Sequence, residues 1–179
     1  MSKKSVLIFC VCVLALSGVF AGTAERNSVD LGFAPSPRQM IKVGEDVYTS
    51  DSGLAASAGY SRTVRGGLYV GCGLEWSNYR QYKLEDYGSF NNIAALARCG
   101  YRFGLSEKVF ADGGLGLGYE LSIVGKNTSG SFVIELDGHA GVIVDNVFSL
   151  IAGAKARAAI QSKSGAYSVL PYAGASISF

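Results

Sequence analysis

Apolar and polar residues alternate along most of this chain. Between Leu68 and Ser77, every second residue is apolar, and the residues between them are mostly Gly, Glu or Tyr. A period of two places successive side chains on opposite faces of a β-strand. Dividing the chain where Gly, Ser, Asn, Asp and charge cluster predicts eight strands, at 27–35, 53–62, 66–77, 90–105, 108–124, 131–144, 147–161 and 167–179.

The segments that connect these strands alternate in length. "SPRQMIKVGEDVYTSDS" and "NYRQYKLEDYGS" are long, whereas "TVR", "SEK" and "DN" are short. Long loops at one end and short turns at the other describe an up-and-down meander. We therefore predict an all-β fold, an eight-stranded antiparallel up-and-down barrel.

Two kinds of eight-stranded barrel fit this pattern. A soluble ligand carrier has its apolar face inside, whereas a membrane barrel has its apolar face outside, against lipid. The polar face here is rich in Gly and Ala and carries few charges, which is unusual for a surface in water. This composition favours the transmembrane arrangement, with the polar face inside.

The charges of the polar face occur in complementary sets. If the turn at Asp145–Asn146 fixes the register, Glu135 lies opposite Arg157 and Asp137 opposite Lys155, as suits an interior where unpaired charge is costly. An eight-stranded barrel is just wide enough for side chains, so we expect a filled lumen, with a narrow channel beside inward glycines as the alternative. The predicted lumen charge network consists of Glu75, Arg98, Arg102, Asp112, Glu120, Glu135, Asp137, His139, Lys155 and Arg157.

Aromatic residues on the apolar face fall near the strand ends. Two aromatic girdles mark the two membrane–water interfaces of transmembrane barrels, and about 9–11 tilted residues suffice to cross a bilayer. The predicted girdles are Trp76, Tyr119, Phe132 and Tyr167 toward the long loops, and Tyr101, Phe103, Phe148 and Phe179 toward the short turns.

The first residues have the pattern of a secretory signal peptide. "MSKK" is positive, "VLIFCVCVLAL" is apolar, and "SGVFAGTA" supplies small residues for cleavage. We predict a signal peptide over 1–21, with cleavage after Ala24 as the alternative, and a barrel over 22–179.

Removal of this leader changes the charge balance and the cysteine count. Without Lys3 and Lys4, the 16 basic residues fall level with the 14 acidic ones, so we expect no nucleic-acid partner. Cys72 and Cys99 remain, too few for a disulfide scaffold. They are either two small apolar residues or one bridge between neighbouring strands. Without a Cys/His cluster, we expect no metal or cofactor.

These features together resemble a known family. The leader, the eight alternating strands, the short turns opposite long loops and a last strand "PYAGASISF" are similar to the small eight-stranded outer-membrane proteins of diderm bacteria, the OmpA-transmembrane, OmpX and OmpW group. The resemblance implies an outer-membrane location, contact with outer-membrane lipid, and recognition of Phe179 by the barrel-assembly machinery. Related barrels that act on lipid A need a His with Ser or Asp partners. His139 precedes Ala140 and Gly141 instead, so we expect no enzyme.

The outer loops are the remaining functional prediction. Tyr residues among mixed charges suit contact with host or surface proteins, and we expect Tyr48, Tyr79, Tyr82 and Tyr87 to form such loops. The expected function is a structural or surface-interaction role, namely anchoring, adhesion or envelope integrity. A narrow channel for small solutes and a soluble carrier are the alternatives.

Overall fold

The computed structural model describes residues 26–81, 89–161 and 164–179, and almost all of them lie in strands. The strands are β1 (Arg26–Ala34), β2 (Arg38–Val43), β3 (Asp46–Arg65), β4 (Leu68–Gln81), β5 (Ser89–Gly104), β6 (Val109–Val124), β7 (Asn127–Ile143), β8 (Phe148–Ile160) and β9 (Ser164–Ser178). Within these residues, no helix has the length and apolar character needed to cross a membrane.

The strands close into an eight-stranded barrel, because β1 and β2 together occupy a single strand position of the barrel. We call each of the eight strand positions a stave. Both β1 and β2 pair antiparallel with β3 on one side and with β9 on the other. The break between them contains Pro35 and Pro37, which lack the N–H that a ladder requires. Phe33 lies opposite Ala173 and Arg38 opposite Val169, so this stave carries one extra residue, a bulge. The predicted eight-stranded antiparallel up-and-down barrel is confirmed.

The predicted first long loop is wrong. Ile41 pairs with Tyr48 and Lys42 with Val47, around a turn at Gly44, whose φ is 63°. Thus β3 begins at Asp46 rather than at residue 53, and the segment is a hairpin. The alternation is hidden here because Arg38 and Lys42 stand on the exposed face of β2, where the other strands carry apolar residues.

The short turns have local causes. Gly66 and Gly67 connect β3 and β4 with φ values of 60° and 93°, as a two-residue hairpin turn of type I′ needs. Between β7 and β8, Asp145 Oδ1 accepts hydrogen bonds from the backbone N–H groups of Val147 (2.8 Å) and Phe148 (2.7 Å). These two bonds lower the pKa of Asp145 below its ordinary value.

The strands are strongly inclined to the barrel axis. Paired residues can be followed around the barrel from Ala58 of β3, through β4 to β9, and on to Lys42 of β2. This path returns to β3 at Val47 and not at Ala58. This stagger is the shear that tilts the strands of a closed barrel.

The two faces of the sheet are oriented as the membrane arrangement requires. Leu117, Ile134 and Leu150 are exposed on the outside, by 43%, 37% and 54%, whereas Glu135 and Arg157 are buried inside, with 0% and 4% exposed. This orientation is the reverse of a soluble carrier, whose apolar residues converge on the centre.

Candidate functional site

The middle of the lumen holds six charged side chains, which we call the ionic cluster: Glu75, Arg98, Glu120, Glu135, Lys155 and Arg157. Arg98 Nη2 donates to Glu75 Oε1 (2.5 Å) and to Glu135 Oε1 (2.8 Å). Arg157 Nη2 donates to Glu135 Oε2 (2.5 Å) and also binds Glu75, which Lys155 contacts too. Three cations therefore face three carboxylates, so the cluster is neutral, as burial demands.

The register of the ionic cluster follows from the turns. Glu135 lies opposite Arg157 and Asp137 opposite Lys155 on β7 and β8, as the position of the Asp145–Asn146 turn predicts. The pairing of neighbouring strands does not by itself predict that Glu75 on β4 contacts both Lys155 and Arg157 on β8, across the barrel. That contact needs the closed barrel.

Glycines that face the lumen leave the space that the Arg98 side chain occupies. A Cβ on Gly73 would lie 2.9 Å from the Arg98 guanidinium carbon, and one on Gly59 would lie 3.4 Å from its Nη1. Tyr69 lies across Gly100 and Gly114 in the same way, with its hydroxyl 2.4 Å from each added Cβ. At these positions the glycines leave space that a long side chain from a neighbouring strand fills, rather than an open path.

A second polar cluster lies toward the short turns, and we call it the histidine cluster: Arg102, Asp112, Asp137, His139 and Tyr172. Arg102 makes a bidentate pair with Asp112 (Nε to Oδ1 2.8 Å, Nη2 to Oδ2 2.7 Å). His139 Nε2 lies 3.1 Å from Asp112 Oδ2. Tyr172 OH lies 2.9 Å from His139 Nδ1 and donates to Asp137 Oδ1 at 3.0 Å. These contacts position the imidazole between two carboxylates and a phenol.

Apolar side chains fill much of the remaining lumen. Phe110, Ile151 and Leu170 are buried together near the histidine cluster, and Leu96 packs with Val133 farther toward the long-loop end. The cavities beside Lys155 and Tyr172 have volumes of about 10 and 20 Å³, room for about one water molecule each.

A larger cavity, of about 190 Å³, lies at the long-loop end, and we call it the outer cavity. Glu120 of the ionic cluster lines it, beside Gln39, Asn92 and Ser131. Sequence reasoning missed Gln39 because it fell in a predicted loop. Asn92 lies on the inward parity of a predicted strand, and that parity is the signal by which it could have been found.

The predicted girdle aromatics all stand on the outward face. Trp76, Phe132 and Tyr167 are exposed on the long-loop side, where Tyr119 pairs directly with Phe132. Tyr101 and Phe103 lie toward the short turns, with ring centroids 4.6 Å apart. Phe148 begins β8 and pairs with Ile177, and Phe179 exchanges backbone hydrogen bonds with Asn27, which joins the last stave to the first.

Two predicted loop tyrosines lie elsewhere, and the other two are not described. Tyr48 lies in β3, so its assignment to a loop is wrong. Tyr79 lies in β4 with its side chain fully buried in the lumen, so its assignment to an exposed loop is also wrong. Its parity is inward because β4 continues to Gln81, beyond the predicted end. Tyr82 and Tyr87 lie outside the described residues, as does the predicted signal peptide.

The two remaining cysteines are free thiols in this structure. Cys72 pairs with Ala97, and Cys99 pairs with Val70, so the two residues are diagonal rather than directly opposite. Both stand on the outward face among apolar neighbours, where they serve as small apolar residues.

The inverted faces and the ionic lumen define a class of protein, the small transmembrane β-barrels. Neisserial surface protein A has this fold, with a TM-score of 0.66 and 16% identity over 86% of this chain and 97% of that chain. The attachment invasion locus protein Ail of Yersinia pestis, in complex with the heparin analogue sucrose octasulfate, superposes with a TM-score of 0.56 and 12% identity over 88% of this chain and 100% of that chain.

A second crystal structure of Ail gives a TM-score of 0.52 at 13% identity over the same shares of both chains. No protein-family model matches the sequence, and no curated protein is similar to it in sequence. At these identities the likeness concerns the fold alone.

Proposed function

We propose that this protein is an integral outer-membrane β-barrel with a structural or surface-interaction role. The observation that carries the proposal is the inversion of its faces: apolar side chains cover the outside, and a neutral ionic cluster fills the centre. An outer surface of this kind is stable in lipid and unstable in water. Residues 1–21 direct export, and the protein is not an enzyme.

The orientation in the membrane follows from the chain ends. Asn27 and Phe179 meet at the short-turn end, which faces the periplasm in this proposal, and the long-loop end faces outward. The β2–β3 hairpin reaches the long-loop end and exposes Lys42, Glu45 and Val47. It replaces the predicted first loop as the surface for contact with host or matrix proteins. The name of Ail as an attachment invasion locus protein is in line with a contact role.

Membrane insertion and topology are tested together by labelling. In a Cys72→Ala, Cys99→Ala background, we expect a membrane-impermeant maleimide to label Glu45→Cys on intact cells. Ser106→Cys, in the β5–β6 turn, should be labelled only after the outer membrane is opened. The protein should also stay with membranes after urea extraction and migrate differently on gels when unheated. Labelling at Ser106 in intact cells would contradict the orientation, and release by urea would contradict insertion.

A filled lumen gives a second test. Because Arg98, Arg157 and Lys155 bridge the barrel centre, we expect no unitary conductance in planar bilayers. The alternative is a narrow channel for small solutes, which the outer cavity favours because it offers an entrance. Steady unitary openings of the wild-type protein would establish the channel and refute the filled lumen.

Recognition of Phe179 by the barrel-assembly machinery is part of the proposal. Its side chain is 68% exposed at the last position of the final stave. We expect Phe179→Ala to reduce assembled protein in cells while the purified chain refolds in detergent as well as the wild type. The matched variant Phe33→Ala, in the first stave, should leave assembly in cells unchanged. Equal losses of assembled protein for the two variants would show that Phe179 has no special role in assembly.

A further inference from the structure

The outer cavity contains buried polar atoms that have no hydrogen-bond partner among the described residues. Gln39 and Asn92 are 3% and 2% exposed, and Gln39 Oε1 and Asn92 Oδ1 accept no hydrogen bond from residues 26–81, 89–161 and 164–179. Both residues line the cavity. A buried acceptor without a donor costs free energy comparable to a lost hydrogen bond, so these two oxygens need a donor that the described residues do not supply.

Glu120 adds a third acceptor group to the same cavity. Its Oε2 meets Arg157 Nη1 at 3.2 Å, the longest ion-pair contact in the ionic cluster, and it is the one charged residue among the described residues that line the cavity. The ionic cluster is already neutral. A bound cation would therefore leave one net charge in the lumen, and a bound anion would face a carboxylate. A neutral ligand avoids both costs.

The rest of the wall combines apolar side chains with hydroxyl-bearing ones. Phe90 and Ile41 line the cavity together with Ser131. An aromatic and an aliphatic side chain suit the C–H face of a sugar ring, while serines both donate and accept. The volume of about 190 Å³ is suited to a single ring rather than a chain of them.

We propose that the outer cavity is a binding site for a neutral polyhydroxylated ligand of monosaccharide size. Its hydroxyl groups donate to Gln39 Oε1, Asn92 Oδ1 and the Glu120 carboxylate. This site goes beyond the proposed membrane role and does not rest on it, because it requires only the folded barrel. It would let an outer-membrane barrel hold a sugar at its outer mouth while the ionic cluster closes the lumen below.

The test uses the purified full barrel refolded in detergent micelles and a panel of neutral hexoses and N-acetylhexosamines, with glucosamine, glucuronate, NaCl and CaCl₂ as charged probes. Saturation-transfer NMR and calorimetry measure binding. We expect at least one neutral sugar to bind saturably and more tightly than glucosamine or glucuronate. Binding of charged probes alone, or of none of the panel, would overturn the proposal.

Adjacent asparagines on β5 supply matched variants. Asn92→Ala removes an acceptor of the cavity, and Asn91→Ala changes the same residue type on the outward face, where Asn91 accepts from Asn78 at 2.9 Å. We expect Asn92→Ala to weaken sugar binding about tenfold, the loss of one good hydrogen bond, and Asn91→Ala to leave it unchanged. Heat-modifiable migration shows that each variant is folded.

A third variant separates a neutral ligand from a cationic one. Glu120→Gln keeps a carbonyl acceptor but removes the charge, so neutral-sugar affinity should fall because a charge-assisted hydrogen bond becomes an ordinary one, and any weak glucosamine binding should fall by more. Equal loss of sugar binding in the Asn91 and Asn92 variants would place the sugar outside the cavity and refute the site.

Discussion

At the scale of single residues, the lumen is organised by long charged side chains that reach across small ones. Arg98 illustrates this arrangement. Its guanidinium passes over Gly59 and Gly73 and ends between Glu75 and Glu135. An arginine can span this distance because its stem is long and its planar head donates in several directions.

The cost of removing one member of the ionic cluster should be large. Arg157→Leu leaves Glu75, Glu120 and Glu135 short of a partner in a buried site, so we expect the free energy of unfolding to fall by about 3–5 kcal/mol. Urea unfolding in detergent micelles measures it. Arg38→Leu, on the exposed face of β2, should change stability by less than about 1 kcal/mol. Similar effects of the two variants would mean that the cluster does not stabilise the barrel.

The inward glycine beside Arg98 should tolerate substitution far less than an outward glycine in open surroundings. Gly73→Ala places a methyl group 2.9 Å from the Arg98 guanidinium, and we expect a loss of about 1–3 kcal/mol from overpacking. Gly138→Ala, on the outward face of β7, meets nothing within 4 Å and should be neutral or slightly stabilising. The same unfolding measurement compares them. A neutral Gly73→Ala would show that Arg98 has spare room.

At the scale of elements, the hairpins fix the register and the register fixes the ionic cluster. A shift of one residue between β7 and β8 would place Glu135 and Arg157 on opposite faces of the sheet and break their pairing. Asp145 holds this register locally because its carboxylate closes the turn through two backbone bonds.

This turn predicts a particular dependence on pH. Because the pKa of Asp145 is lowered from its ordinary value of 3.8, its stabilising effect is present above that value and is lost as the pH falls through the lowered pKa. We expect Asp145→Ala to be less stable than the wild type at pH 7, with the difference vanishing in acid. Unfolding by urea at several pH values measures this. Asn146→Ala should show no such pH-dependent difference, and a constant difference at all pH values would contradict the role of the carboxylate.

At the scale of the whole molecule, the outer surface is matched to hydrocarbon. Leu136 and Leu74 are 62% and 61% exposed, and a soluble protein would rarely expose so many large aliphatic side chains on one continuous face. The staggered closure leaves none of the described strands β1 to β9 at an unpaired sheet edge, and strands can lie in lipid only when their edges are paired.

The lipid-facing surface should reject charge in a depth-dependent way. Leu136→Lys, near the middle of β7, should destabilise the barrel in lipid vesicles by about 2–4 kcal/mol. Leu105→Lys, in the β5–β6 turn, should cost about 0–1 kcal/mol because it lies at the interface. Refolding equilibria in vesicles measure both. Equal costs would show that Leu136 does not face the bilayer core.

The sequence alone predicted the barrel fold, the outward orientation of its apolar face and the pairing of Glu135 with Arg157, because strict alternation and short turns are local signals. It failed at β2 and at the start of β3, where exposed charges and two prolines hide the alternation. Tyr79 was also assigned to a loop, since no local sequence signal shows where β4 ends.

Which strands carry charge, and on which face, was determined by the order of residues alone. Only the closed barrel decided which charges meet. Glu75 reaches Lys155 and Arg157 across the lumen, although β4 and β8 are far apart in the chain, and Gln39 of β2 joins Asn92 and Glu120 of β5 and β6 around one cavity. The physical reason is that alternation is set by neighbours along the chain, whereas contacts across a barrel are set by the number, tilt and stagger of its strands.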